Sequence, residues 1–354
     1  MGWHDGRQAS SILEAGEQLT PGIRWAAALL GAATLLLAAC ATPPSQQAAP
    51  SAGTTAKAPP AGSAAPLVKV KISNPGRTIN TSYIFAAQHY GAFAQRGLEV
   101  EESTMASGPA LAALQTGELD LVGAVGSAAK AAMRGLPVRI VFVSGDRPSW
   151  MILGAKNITS IEQLRGKIIA TSTPDTASSA TFVELMRRRG IQPGEYQTVN
   201  ESGELARAAA LENGTVSAAV LEPTSALKLI REGFPRLTTV GDEIQMPFGG
   251  LVGYEPTVQS RRDVLRRAMS AMIDGLQIMR ADKDKALPVL VQQLGLSQAD
   301  ASQLFDSSQS SWTTNGRPSQ EAMQFELTND QRDLKLSTPI KAEQVYDFSL
   351  LDGG

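Results

Sequence analysis

KIIATSTPDTASSATFVELMRRR, residues 167–189, carries in one stretch the beat that repeats along most of the chain. Its first six residues, bounded by Gly166, are short, apolar and partly β-branched, and read as a buried strand. A turn packed with hydroxyls follows, Thr171 to Ser178. Asp175 or Thr176 there suits a helix N-cap. The residues from 176 to 189 hold a helical spacing, and Arg187, Arg188 and Arg189 place cations at the end of the helix where the macrodipole favours them.

The same alternation extends in both directions. Downstream it predicts a strand near 196–199, a helix over 203–212, a strand over 216–221, a helix over 223–232 and a strand over 237–240. Upstream, LVKVKIS (67–73) alternates as a strand does, and Asn74-Pro75-Gly76 is a turn. A helix follows Ser82 and Gly97 stops it. LEVEEST (98–104) is the next strand, a short helix follows Ser107-Gly108-Pro109, and ELDLVGAV (118–125) is another strand. A further helix begins near Ser127, and LPVRIVFVS (136–144) and WMILGA (150–155) are strands. Alternation of this kind predicts α/β architecture with largely parallel sheets. Right-handed crossovers collect the strand C-termini at one edge, where loops and helix N-termini form a crevice for ligands. Beyond about residue 255 the pattern is helical. Leu265, Ala268, Met272, Leu276 and Met279 form an apolar stripe, further helices are expected at 284–294, 297–311 and 319–330, and a last one around 345–351.

Composition narrows the function. The chain has 354 residues, with 32 Lys and Arg against 34 Asp and Glu, a net charge of -2 that excludes a nucleic-acid binder working through a broad basic field. One cysteine excludes a disulfide framework, and two histidines argue against a His-ligated metal. No cofactor or metal site is expected. Aromatic residues make up 5%, so the core should be aliphatic and rich in alanine.

The N-terminal segment sets the expected compartment. WAAALLGAATLLLAA (25–39) is apolar and uncharged, follows Arg24 and ends at Cys40. It is short for a membrane span, which takes about 20 residues, and it has the layout of a secretory signal peptide over residues 1–39. The residues before Arg24 are longer and more acidic (Asp5, Glu14, Glu17) than such a leader usually carries. The cut site resembles a bacterial lipobox, which implies that Cys40 carries lipid. Residues 40–66, rich in Pro, Ala, Ser and Gly, read as a flexible tether. The body would then stand outside the cytoplasmic membrane, periplasmic or at the cell surface.

Several phrases from Thr81 to Arg236 are similar to those of substrate-binding components of bacterial ABC importers, in the branch that holds sulfonate-, taurine- and nitrate-binding proteins and the THI5-like group. They are Ala92-Phe93 with Arg96-Gly97-Leu98-Glu99-Val100, Ala112 to Asp120, Leu164-Arg165-Gly166-Lys167, and VSAAVLEP from Val216 to Pro223. The resemblance implies a two-lobed periplasmic-binding-protein type II (Venus-flytrap) fold with two hinge-crossing segments and a helical C-terminal part. Lobe 1 would take 67–157 plus 246–354, and lobe 2 would take 158–245. Ser217 stands where the family phrase has Asp. The His and Cys cluster of the eukaryotic THI5 enzymes is missing, which argues against the enzymatic branch.

Candidate ligand contacts follow from turn chemistry and from the resemblance. Gly108, Gly126 and Ser127 fall where strands run into helices, and backbone N–H groups at helix starts bind anions; Ser127 also suits a plain N-cap. Ser82 or Tyr83 would face the cleft from the first helix, and Asn74 ends the first strand. Thr173 and Thr176 lie where the family places its second-lobe headgroup site, with Asp175 set against a strongly anionic ligand. Glu222 lies near the family's cleft or hinge, although an acid followed by Pro223 also suits a helix start. Arg147 would clamp a carboxylate or sulfonate or remain a solvated charge. Trp150, Trp312 and Phe248 would wall an aromatic ligand or fill core, and His89 receives no role.

The expected function is therefore non-enzymatic. A monomeric, lipid-anchored protein would capture a small polar or anionic organic molecule, such as a sulfonate, an aromatic acid or a nitrogenous compound. It would deliver that molecule to an ABC permease with its ATPase. The alternatives are a ligand-binding sensory lipoprotein and a THI5-like pyrimidine-synthesis enzyme.

Overall fold

β1 (Val68–Asn74) turns from an exposed start to a buried end and runs parallel to β2 (Leu98–Thr104), with Val70 opposite Val100. The computed structural model describes residues 66–352 except Asp175 and Ser202. The expected signal peptide, Cys40 and nearly all of the tether lie outside the described residues.

Between and after these strands come α1 (Ser82–His89), α2 (Ser107–Gln115), the two-residue β3 (Leu121–Val122), α3 (Val125–Met133) and β4 (Val138–Gly145). A first crossing, residues 146–150, leads to β5 (Met151–Gly154). Then follow β6 (Ile168–Thr171), α4 (Ala177–Arg188), β7 (Gln197–Asn200), α5 (Glu204–Glu212), β8 (Ala218–Leu221), α6 (Pro223–Arg231) and β9 (Arg236–Thr239). A second crossing, residues 240–247, returns the chain to β10 (Phe248–Tyr254), α7 (Glu255–Ser260), α8 (Arg262–Ala281), α9 (Lys283–Leu294), α10 (Gln298–Ser308) and α11 (Gln320–Asp333).

Two five-stranded sheets result, ordered β2-β1-β3-β10-β4 and β7-β6-β8-β5-β9. Each is parallel except for one inserted strand, β10 in the first and β5 in the second, which runs antiparallel to both neighbours. Each inserted strand is the first one the chain makes after a crossing. The fold is thus α/β and two-lobed. The boundary expected at 157/158 is corrected, because β5 already pairs with β8 and β9 of lobe 2.

Three other expectations change. β10 carries no strand signal in the sequence, because FGGLVGY breaks its apolar run with three glycines, Gly253 and the adjacent pair Gly249 and Gly250. The adjacent pair is required: Gly249 and Gly250 have φ of 72° and 143°, and a Cβ would stand 2.7 Å from Ser144 Oγ and 2.2 Å from Phe142 O, respectively. The strand at 118–125 shrinks to β3. The final helix near 345–351 is replaced by 3₁₀ turns at Ala342–Gln344 and Ser349–Leu351.

The inner strands of each sheet are buried on both faces, while the edge strand β7 is exposed. In β5, Met151 and Leu153 enter one core and Ile152 the other, as a period of two demands. The α8 stripe from Leu265 to Met279 is fully buried in a core shared with Ile84, Ala87 and Phe142. Among the described residues no helix is long and apolar enough to cross a membrane.

Candidate functional site

Three helices begin at one cavity. It holds about 400 Å³ and takes its wall from Ser107 at the start of α2, from Val125, Gly126 and Ser127 at the start of α3, and from Thr176, Ala177 and Ala180 at the start of α4. The first two helices belong to lobe 1 and the third to lobe 2. The volume lies within the roughly 300–1,000 Å³ usual for small-molecule sites.

The starts of α2 and α3 share an unusual feature. Their N-cap residues are Ala106 and Ala124, which offer no side-chain acceptor. The first intrahelical bonds are from Ala110 N–H to Ala106 O and from Ala128 N–H to Ala124 O. The amides of Ser107 and Gly108, and of Val125, Gly126 and Ser127, precede these bonds and have no intrahelical acceptor. Exposed amides at the positive end of a helix are the raw material of an oxyanion site. α4 differs. Thr176 caps it by accepting from Ser179 N–H at 3.3 Å, while its hydroxyl donates to Thr173 O at 2.8 Å.

The rest of the wall comes from α11: Phe325, Glu326, Asn329, Asp330 and Asp333, with Lys130 of α3 beside them. Glu326 is buried and accepts from the Tyr346 hydroxyl. Burial pushes its carboxyl up to about 8. Asp330 is 8% exposed, and burial pushes it up to about 6 against the pull of Lys130. Lys130 Nζ lies 3.6 Å from Asp330 Oδ1 and 3.4 Å from Asp333 Oδ2, while Asp330 Oδ2 is buried without a partner. Among the described residues no three metal-ligating side chains converge.

The expected contacts divide. Gly126, Ser127 and Thr176 line the cavity. Gly108 and Thr173 are exposed neighbours of the wall rather than part of it. Asn74 is buried behind Gly123, whose Cβ would stand 2.1 Å from Asn74 Oδ1; the Asn74 amide nitrogen has no partner. Ser82 and Tyr83 are corrected outright. The Ser82 hydroxyl donates to Ile79 O at 2.5 Å, and Tyr83 stacks on Phe142 in the lobe 1 core at 5.2 Å between centroids. The apolar face of α1 outcompetes the cleft for these residues.

Arg147 stays in the first crossing, with Nη1 3.4 Å from Gly241 O of the second. Glu222 is the N-cap residue of α6 and accepts from Trp150 Nε1 at 2.6 Å, so it ties a lobe 2 strand end to the first crossing. Burial pushes it up to about 7. Trp150 packs edge-on against Phe248 at 4.8 Å, and Trp312 is core. His89 lies against Tyr90 in α1, outside this wall.

The α11 wall was missed. Its signal was present, since Glu326, Asp330 and Asp333 recur at spacings of four and three on one helical face. A solvated face gives the same pattern. A larger cavity, of about 670 Å³, lies on lobe 1 around Arg139, Arg262 and Arg317. Two of these arginines are already ion-paired, Arg139 with Glu255 at 2.5 Å and Arg317 with Asp352, Arg262 donates to Ser349, and the described residues of the cavity include none from lobe 2.

Comparison with known proteins agrees with this architecture. The NMT1/THI5-like family profile matches residues 78–286. No curated protein matches the sequence. Among solved structures, the periplasmic aliphatic sulphonate binding protein SsuA from Escherichia coli superposes with a TM-score of 0.65 at 16% identity, covering 80% of this chain and 99% of that one. The alkanesulfonate-binding protein SsuA from Xanthomonas axonopodis pv. citri, bound to MOPS, gives 0.59 at 18% identity, covering 80% and 99%. The desulfurization enzyme DSZB gives 0.61 at 14% identity, covering 80% and 97%.

Proposed function

Because this chain belongs to the NMT1/THI5-like family, we propose that it is the extracytoplasmic substrate-binding component of an ABC importer. It captures a small organic molecule between its lobes and presents it to a permease with its ATPase. The observation that carries this reading is the cavity itself: uncapped amides of α2 and α3 from lobe 1 and the start of α4 from lobe 2 face one space. A ligand that bonds to both lobes favours their closed arrangement, and that differential contact drives hinge closure.

A binding protein rather than an enzyme is supported by the wall's composition. Among the described residues of the wall the hydroxyls are those of Ser107, Ser127 and Thr176, and none is a histidine or cysteine that would activate them. The two sulfonate-binding neighbours fit the same reading, whereas DSZB shows that the fold also hosts catalysis. Lipid on Cys40 and a tether over 40–66 would hold the monomeric body near the membrane, where a permease partner resides.

The test is a thermal-shift titration of the purified chain against sulfonates, aromatic acids and nitrogenous heterocycles. A ligand at a thousandfold excess over its Kd adds about 4 kcal/mol, which raises Tm by roughly 10 °C for a body of this size. A shift that also protects the protein from crosslinking of its lobes in the open state supports import or sensing by closure. Turnover of any stabilising compound would sink the non-enzymatic reading.

A further inference from the structure

The base of lobe 1 carries another cavity, at the far end of its sheet from the space between the lobes. β1 begins at this base and ends at Asn74, behind Gly123 of the interlobe wall, and its seven residues set the two cavities about 20 Å apart. We propose that the base is a docking site for an anionic phospholipid membrane, with Arg266 and Arg267 holding the phosphate of a headgroup.

The cavity holds about 400 Å³ and has guanidinium groups from two elements in its wall: Arg96 from the 3₁₀ turn before β2, and Arg266 and Arg267 from the second turn of α8. Arg96 is paired with Asp274 at 2.7 Å. Arg266 and Arg267 are half-buried and, among the described residues, pair with no carboxylate. Arg266 donates to Asp352 O, and Arg267 Nη1 donates to Arg96 O at 2.6 Å. Each has N–H donors left over. Asp263 is the one carboxylate among the described residues of this wall, and it is exposed. Positive charge is therefore in excess, and the positive end of α8 adds to that field rather than offsetting it. Guanidinium forks match phosphate oxygens.

Two further observations name the occupant. The wall is apolar beside its arginines, with Ile273 and Leu351 half-buried over the buried Met269 and Leu350. A free phosphate would leave that surface unused, whereas a lipid brings hydrocarbon next to its phosphate. The second observation is where the chain enters the fold. Val68 N–H donates to Gly97 O at 2.9 Å, and a Cβ at Gly97 would stand 3.3 Å from Arg267 Nη1. The segment that leads in from Cys40 thus arrives beside Arg267. Leu67 and Val68 lie at that point and are two of the five exposed large apolar side chains among the described residues, so the basic site is flanked by an apolar tip. A tether over 40–66 spans about 30 Å, and it holds this end of the body close to the bilayer.

The experiment measures vesicle binding by the full chain carrying Cys40→Ser, so the result stands apart from whether Cys40 is lipidated. Vesicles of phosphatidylcholine alone are compared with vesicles in which about a third of the lipid is phosphatidylglycerol. The uncharged segment 25–39 is common to every variant and cancels. The anionic vesicles are expected to bind this chain more tightly. Adding Arg266→Gln and Arg267→Gln should weaken that binding about thirtyfold, at about fivefold per cation near an anionic surface. Arg266→Lys with Arg267→Lys should keep most of it. Arg134→Gln with Arg236→Gln, which removes two exposed cations elsewhere, should change little. No preference for anionic vesicles, or an equal loss in this last pair, overturns the proposal. Hydrogen exchange on the Cys40→Ser chain decides the matter even if the glutamine variant fails to fold. Anionic vesicles should protect residues 263–273, and protection only at another face overturns the site. Equal protection by inorganic phosphate alone overturns the membrane as its occupant.

Discussion

Glu326 and Asp330 lie one helical turn apart on α11, and burial keeps both carboxyls protonated to higher pH than in the unfolded chain. The folded state therefore holds protons that the unfolded state releases, and stability falls as pH rises. The window runs from the ordinary carboxylate range near 4.5 to about 8, where Glu326 has ionised. Glu326→Gln, which keeps an acceptor for Tyr346, should flatten this loss. At pH 8 it should be more stable than wild type by about 1–3 kcal/mol, measured by denaturant unfolding at pH 5 and pH 8. Equal slopes for the two proteins would show that Glu326 ionises freely. Glu222 obeys the same sign, and among the described residues its one side-chain donor is Trp150. Trp150→Phe should cost about 1–3 kcal/mol, more at pH 8 than at pH 5, because only the charged carboxylate loses a charge-assisted bond. Glu222 was legible as an acid at a helix start. Trp150, 72 residues away, was not.

At the scale of elements, helix starts decide whether amides serve the fold or a ligand. α4 and α11 are capped by Thr176 and Ser319, whereas α2 and α3 begin after alanine. Reading the sequence placed Ser127 as a possible cap. The structure starts α3 two residues earlier, which puts Ser127 inside the first turn with its amide free. The helix pair α1–α8 shows the cost of close approach. A Cβ at Gly275 would stand 2.0 Å from Tyr83 O and 2.9 Å from Ala87 N. Gly275→Ala must push two backbones apart, and it should lower stability by about 1–3 kcal/mol, read as a fall in the denaturant midpoint. A neutral outcome would mean that α8 slides freely over α1. The apolar stripe of α8 was plain from its helical spacing; the surface it meets was not.

At the scale of the molecule, α11 spans the hinge. Ser319 N–H donates to Asp146 Oδ2 at 2.8 Å in the first crossing, and the Ser319 hydroxyl donates to Gln245 Oε1 at 2.6 Å in the second. Further along the same helix, Phe325 packs against the lobe 2 core while Leu327 sits in the lobe 1 core. Away from the cavity, Arg231 of α6 pairs with Asp300 of α10 at 2.6 Å across the lobes. This pair is half-exposed and contributes little stability. Ser319→Ala removes both the cap and the hydroxyl link to the second crossing while keeping the backbone link to the first, and should cost about 1 kcal/mol and loosen lobe closure. Ser319→Thr should restore both. Scattering from the ligand-free chain measures the closure; an unchanged radius in the alanine variant would show that the crossings hold the lobes without α11.

The two-lobed plan came from the resemblance to the family; local rules were enough to read the alternation of strands and helices, the polar turn before α4 and the order of the elements. Each of these depends on residues three, four or two apart, and such spacings are written directly into the chain. Only the tertiary structure decided that β5 and β10 insert antiparallel, that Tyr83 belongs to the core, and that α11 lines the same cavity as the starts of α2, α3 and α4. Those outcomes depend on contacts between segments many tens to hundreds of residues apart, where competing partners differ by no more than the few kcal/mol that separate one packing from another.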